Sequence, residues 1–145
     1  MINETIFREY DIRGITGKEL NADFAYQLGL TYSEWAHKKL GKSDLTIAVG
    51  RDCRLTSDEY AEALIRGLND AGINVINIGT CPTPLTYFSV FHYETNGAIM
   101  VTGSHNPAEY NGFKLGIGKD TLHGSQIQEL KQIMKSGQFT ARTKG

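Results

Sequence analysis

The chain has 145 residues, of which 40% are hydrophobic and 21% charged, enough for one domain with its own core and too few for two ordinary ones. A net charge of −1 and a pI near 6.4 argue against a surface built to coat nucleic acid or an anionic membrane. No apolar run approaches the roughly 20 residues that span a bilayer, and the stretch from Met1 to Glu9 mixes acids with apolar residues where a signal peptide would carry an apolar core. A cytoplasmic protein with neither nucleic acid nor membrane as partner is expected.

The pattern alternates helix and strand. Leu20, Phe24, Leu28, Trp35 and Leu40 fall near helical spacing behind a candidate N-cap, Asn21, and predict an amphipathic helix over 21–40. The apolar run from Leu45 to Val49, ended by Gly50, reads as a buried strand. Thr56 and Glu59 have the spacing of a capping box, opening a helix that buries Ala61, Leu64, Ile65 and Leu68 and stops at Gly72. A second strand is predicted from Ile73 to Ile78. Thr83 as N-cap and Pro84 as first helical residue then open a shorter helix carrying Leu85, Phe88 and Val90.

Ala98 to Val101 is the third predicted strand and Gly112 to Ile117 the fourth. The loop between them is too short for a helical crossover, so the fourth runs antiparallel to the third if the two pair. A second capping box, Ser125 with Gln128, precedes a helix through Ile127, Leu130 and Met134 to Gly137. The expectation is an α/β fold: a mixed four-stranded sheet, three strands parallel and one antiparallel, with helices on both faces. The domain should occupy 1–137. Residues 138–145 carry no pattern of their own and read as a tail or the start of a linker.

Cys53 and Cys81 form no Cys-x-x-Cys pattern, which argues against structural zinc or a disulfide framework and for two reduced thiols. His37, His92, His105 and His123 show no spacing that suggests a metal cluster. Ligands of open α/β sheets gather at the carboxyl ends of the parallel strands. Here those ends are Gly50-Arg51-Asp52, Gly79-Thr80-Cys81-Pro82 and Thr102-Gly103-Ser104-His105-Asn106-Pro107. In the third, Gly103 permits close backbone approach and Pro107 stiffens the exit, so Ser104 sits on a tight turn with its hydroxyl presented outward. On these residues alone Ser104 is either a nucleophile or a turn former. A serine hydrolase would want Gly-x-Ser-x-Gly ahead of a helix, and this sequence offers Asn106-Pro107 ahead of a strand. Arg51 and Asp52 fit a local ion pair or loop-closing bond as well as a catalytic role.

Three segments in register carry more information. Phe7-Arg8-Glu9-Tyr10-Asp11-Ile12-Arg13-Gly14, then Val49-Gly50-Arg51-Asp52 with Arg54, then Gly97 through Pro107 with Tyr110-Asn111-Gly112-Phe113-Lys114 closely resemble the first domain of bacterial phosphohexomutases of the phosphomannomutase/phosphoglucomutase type. The resemblance runs from about Phe7 to about Met134. It implies that Ser104 is the phosphorylated serine that gives its phosphoryl group to a hexose monophosphate and recovers one from the 1,6-bisphosphate intermediate. It implies that Lys114 is a general acid/base and that His105 supports the site beside the serine. Tyr10, Arg13 and Asn111 become phosphate- or substrate-binding residues, a guanidinium such as Arg13 fitting phosphate oxygens bidentately.

The resemblance also implies Mg²⁺, a glucose 1,6-bisphosphate activator, hexose phosphates as ligands, and further domains of the same chain. No Asp-x-Asp of the kind found in the family's metal loop occurs in the sequence, so Ser104, through its oxygen or phosphate, is the one expected metal ligand here. On that reading these residues are a fragment that holds the donor group without the apparatus that selects the sugar. Phosphoglucosamine mutase is the nearest alternative within the family. A non-catalytic α/β domain that binds phosphorylated ligands is the alternative outside it.

Overall fold

A computed structural model of the chain describes residues 3–145. A single 3-10 turn, Glu4–Ile6, leads into strand β1 (Ile12–Ile15), followed by α1 (Ala22–Leu40), β2 (Leu45–Arg51), α2 (Ser57–Asp70), β3 (Ile73–Thr80), α3 (Thr83–His92), β4 (Ala98–Val101), β5 (Tyr110–Ile117), β6 (Asp120–Thr121) and α4 (Ser125–Ser136). The sheet order is β1-β5-β4-β2-β3, with β6 also paired to β5. β2 runs parallel to both β3 and β4, whereas β5 is antiparallel to β4 and to β1.

The mixed sheet is as expected, but it has six strands and not four. The two that the sequence pattern missed are short. β1 has four residues and β6 two, too few for a period-2 signal, and each exists because β5 supplies its hydrogen-bonding partner. β1 places Ile12 opposite Phe113 and Arg13 opposite Gly112.

Side chains alternate across the sheet and divide the core in two. Ile47, Val49, Ile99, Val101, Phe113 and Leu115 face one way, into a cluster with residues of α1, α2 and α4 that includes Leu28, Tyr32, Leu64, Leu68, Ile127 and Leu130. Ala48 and Ala98 face the other way and meet Val90 of α3. Each fully buried leucine or isoleucine in the larger cluster contributes about 1.5–3 kcal/mol. The cross between α1 and α2 is unusually close. A Cβ on Gly29 would overlap the Leu64 carbonyl, and one on Gly67 would overlap the Tyr26 carbonyl, so the backbones touch where the glycines face each other.

Helix ends follow the sequence in part. Asn21 caps α1, its side chain accepting from the Phe24 N–H at 2.8 Å, and Gly41 closes it in the left-handed conformation at φ 61°. Neither predicted capping box forms. Thr56 is already helical at φ −95°, ψ −6° and makes no side-chain cap; its hydroxyl instead accepts from the amide of Asn111. Gly124, not Ser125, caps α4, at φ 49°, and the neighbouring Gln126 side chain accepts from the His123 N–H. In α3, Thr83 is the first helical residue and Pro82 the cap, one position earlier than predicted.

Residues 138–145 return across the helices. The Thr140 N–H and hydroxyl and the Arg142 guanidinium donate to the buried carboxylate of Glu34. The Gly145 N–H donates to the Asn69 carbonyl at 2.9 Å. This contact is polar and lacks the apolar periodicity by which sequence patterns are read. No helix of the described residues is long and apolar enough to cross a membrane.

Candidate active site

The carboxyl ends of β2, β3 and β4 open into a cleft of about 890 Å³ whose walls include Cys81, Tyr87, Met100, Ser104, His105 and Lys114. Ser104 sits two residues beyond Thr102, where β4 has ended, and it has φ 53°. A non-glycine residue in that region stores about 1–3 kcal/mol and persists only where its surroundings over-determine it. Those surroundings can be named. The Ser104 N–H donates to the Thr102 hydroxyl at 2.9 Å, and that hydroxyl donates to Asp52 Oδ2 at 2.8 Å. The Gly103 N–H reaches the same carboxylate oxygen, while the Arg54 N–H and the Ser57 hydroxyl occupy Oδ1.

Burial by itself would raise the Asp52 carboxyl, but the donors from Ser57, Arg54, Thr102 and Gly103 outweigh it and hold the group below the ordinary aspartate value. Asp52 therefore stays ionised as a loop-closing acceptor. Arg51 forms an ion pair with Asp58 at 2.8 Å. Of the two readings open for Arg51 and Asp52, the structural one describes their contacts. Arg54, which the sequence shows only as a member of a motif, lies against the serine loop and donates to the carbonyls of Ser104, Asn106, Pro107 and Tyr110.

Lys114 is paired across the ladder with Met100, as Gly112 is with Arg13. Alternation therefore puts Lys114 and Arg13 on the same sheet face, the one that α3 covers further along. Lys114 Nζ stands 3.9 Å from Asp11 Oδ2. Arg13 is bound more tightly: Nη2 donates to Asp11 and Nη1 to the side chain of Asn106 in the serine loop, while its buried Nε has no partner. Arg13 is thus brought to the serine loop, but its fork is held by a carboxylate and an amide. His105 is exposed at the cleft wall.

Tyr10 and Asn111 lie in opposite surroundings. Tyr10 is 70% exposed, and among the described residues no hydrogen bond ties it to the serine loop. Asn111 is fully buried on the helix-covered face. Its amide donates to Thr56 and Ser57 at 3.0 Å each, and its carbonyl oxygen accepts from the Gly112 N–H. With donors and acceptor consumed inside the protein, Asn111 locks the start of α2 to β5 and has nothing left to offer a phosphate.

The donors do not by themselves make a magnesium site. Asp52 is saturated, Asp11 is held by Arg13 and Lys114, and the described residues include no group of three or more acidic, histidine or cysteine side chains arranged for a metal. Magnesium favours octahedral oxygen sites that combine carboxylates with phosphate oxygens.

The family profile for "Phosphoglucomutase/phosphomannomutase, alpha/beta/alpha domain I" matches residues 4–141. The chain belongs to this family, as its domain I. A phosphoglucomutase of Neisseria gonorrhoeae is 46% identical over 143 residues, covering 99% of the chain. A phosphomannomutase/phosphoglucomutase of Pseudomonas putida is 43% identical over 137 residues. Among solved structures, a phosphoglucomutase/phosphomannomutase family protein of Burkholderia thailandensis superposes with a TM-score of 0.88 at 36% identity, covering 99% of the chain and 32% of that structure. The chain spans about 30% of the length of the curated relatives it matches.

Sequence reasoning found Ser104, His105 and Lys114 on the cleft. It passed over the partners of Ser104 and Lys114, namely Thr102, Arg54 and Asp11. Asp11 and Arg54 lie inside the two shorter motifs, and their charge was the one available signal.

Proposed function

We propose that this domain carries the phosphoserine of a cytoplasmic phosphosugar mutase that interconverts hexose 1-phosphate and hexose 6-phosphate, of mannose or glucose, through a hexose 1,6-bisphosphate. The supporting observation is Ser104 itself. It is a non-glycine residue held at positive φ on a strand end, at the wall of the cleft, and no protein hydrogen bond engages its hydroxyl among the described residues. A serine that merely made a turn would not need the Asp52–Thr102–Arg54 framework to hold it there.

In the reaction, the bond between phosphorus and Ser104 Oγ breaks and a bond between phosphorus and a sugar oxygen forms. The sugar hydroxyl loses its proton and Ser104 Oγ gains one. Such transfers depend mainly on positioning and charge neutralisation. Lys114, on the same cleft, is the group in this domain proposed to move the hydroxyl proton. Magnesium and a bisphosphate activator belong to the proposal, and of this domain's groups it is Ser104, through its oxygen or phosphate, that remains free to touch the metal. The sugar and the other metal ligands would be held by further domains of the same polypeptide.

The test is phosphoryl labelling. Incubation of a polypeptide joining this domain to the rest of a mutase with glucose 1,6-bisphosphate is expected to add one phosphoryl group, placed on Ser104 by tandem mass spectrometry. Ser57 is fully buried and bonded to Asp52, so it should stay unmodified. A phosphoryl group found on Ser57 or Ser125 would overturn the assignment.

A further inference from the structure

Arg54 is 17% exposed and lies on the connection between β2 and α2. A guanidinium has five N–H donors in a rigid fork, and here the four on the two Nη atoms find carbonyl acceptors while Nε lies in an ion pair. Nε faces Asp52 Oδ2 at 3.3 Å. Nη1 donates to the Pro107 and Tyr110 carbonyls at 2.6 and 3.0 Å. Nη2 donates to the Asn106 and Ser104 carbonyls at 2.6 and 3.2 Å. Four carbonyls of one irregular loop thus converge on one half-buried cation. The loop's other bonds are few: Asn106 N–H to the Gly103 carbonyl, Tyr110 N–H to the Pro107 carbonyl, Ser104 N–H to the Thr102 hydroxyl, Arg13 to the Asn106 side chain, and the Thr16 N–H and hydroxyl to the Glu109 carbonyl.

Two consequences follow from elementary geometry. First, Gly103 has no positive φ and so does not need to be glycine for its backbone; a Cβ there would overlap the Arg54 guanidinium. The glycine before the serine is required by the arginine. Second, a trans peptide is planar, so a carbonyl turned toward Arg54 turns the following N–H away from it. The N–H groups of His105 and Ala108 follow two of these carbonyls, make no hydrogen bond among the described residues, and belong to residues that line the cleft. Fixed backbone donors of this kind suit phosphate oxygens.

We propose that Arg54 is the positioning residue of the serine loop: by chelating the carbonyls of residues 104, 106, 107 and 110 it fixes Ser104 at positive φ and turns the His105 and Ala108 N–H groups outward to a phosphate on that serine. The part concerning the phosphate rests on the reading of Ser104 as phosphoryl carrier, whereas the part concerning the loop does not.

The experiment has two arms, each run on wild type, Arg54→Lys, Gly103→Ala, Arg54→Ala and the double variant Gly103→Ala/Arg54→Ala, the first on the 145-residue chain and the second on a polypeptide joining this domain to the rest of a mutase. Amide hydrogen exchange is read at Ser104, Asn106 and Tyr110 and, as reference, in β2 and β4. Lysine keeps the charge and loses the fork, so exchange at the three loop amides is expected to rise at least about tenfold with the reference strands unchanged. Gly103→Ala should loosen the same amides, and should add little once Arg54 is Ala, because the overlap is then gone.

The second arm is Ser104 labelling by glucose 1,6-bisphosphate. In Arg54→Lys the labelling rate should fall at least about tenfold while the bisphosphate concentration giving half-maximal rate stays unchanged. Unchanged loop exchange, exchange rising equally in the strands, additive Gly103 and Arg54 effects, or a wild-type labelling rate in Arg54→Lys would each overturn the proposal. If the wild-type polypeptide that joins this domain to the rest of a mutase is not labelled at Ser104, the function proposed above fails, and the exchange arm still decides whether Arg54 sets the loop.

Discussion

Lys114 and Asn111 stand three residues apart on β5, and strand alternation gives them opposite surroundings. Lys114 points to the cleft face beside Asp11. Asn111 shares its face with Phe113 and Leu115 and is sealed beneath the helices. Their truncations should therefore fail in different ways. Lys114→Ala is expected to leave thermal stability within about 0.5 kcal/mol, as partly exposed ion pairs contribute little, and to lower turnover about 10²-fold. That is measured with glucose 1-phosphate in a polypeptide joining this domain to the rest of a mutase. Asn111→Ala strips three hydrogen bonds from a buried site and should cost about 2–3 kcal/mol, read as a lowered midpoint in chemical denaturation. A large loss of hexose phosphate affinity with stability intact would restore Asn111 as a ligand. The motif put Asn111 next to the site in sequence, outside the predicted strand; only the extension of β5 back to Tyr110 brings it into alternation with Phe113 and Leu115 on the buried side.

At the scale of elements, the C-terminal tail is held by two acids, Asp70 through Lys144 and Glu34 through Thr140 and Arg142, of which Glu34 is the buried one. Burial alone would raise the Glu34 carboxyl, but the Thr140 N–H, Lys38, Arg142 and the Thr140 hydroxyl prevail and lower it to about 2. A carboxyl whose pKa is depressed on folding stabilises the folded state above its unfolded value, near 4.3, and loses that contribution as pH falls through the folded value. Melting temperature should thus decline between about pH 5 and pH 2, and Glu34→Gln should flatten that decline while lowering stability at pH 7. Proteolysis of the tail should accelerate in the same variant. A Glu34→Gln curve parallel to wild type from pH 5 to pH 2 would remove Glu34 from this role. Neither the tail contact nor β1 was visible locally, since both depend on a partner remote in sequence, Glu34 in one case and β5 in the other.

For the whole molecule, both ends of the described chain are tied in. β1 pairs with β5 at one sheet edge, and the tail lies on α1 and α2. One large apolar cluster joins α1, α2 and α4 to the sheet. These 145 residues are expected to unfold in a single cooperative thermal transition, followed by circular dichroism. In a coupled assay with glucose 1-phosphate, Mg²⁺ and bisphosphate they should show background activity only, because phosphoryl transfer needs sugar and metal held in line with the phosphate. The open cleft of this domain supplies one of the parties. Turnover near 1 s⁻¹ or faster, roughly that of ordinary enzymes, would show that the domain is a catalyst by itself.

The sequence by itself determined the alternation of β2, α2, β3, α3, β4 and β5, the sense of β5, the cap of α1 by Asn21, and the serine at the end of β4. All of these are local: hydrophobic period, turn residues and loop length act within a few positions of the chain. What only the tertiary structure decided is whatever depends on a partner far away. β1 exists through β5, the start of α2 is fixed by Asn111 rather than by its own threonine, and Glu34 becomes ionised inside the protein because a tail some hundred residues later brings donors to it. Ser104 belongs to both categories. Its position was legible, but its strained conformation is imposed by Asp52 and Arg54, about 50 residues earlier, whose hydrogen-bonding groups meet the serine loop only when the sheet has formed.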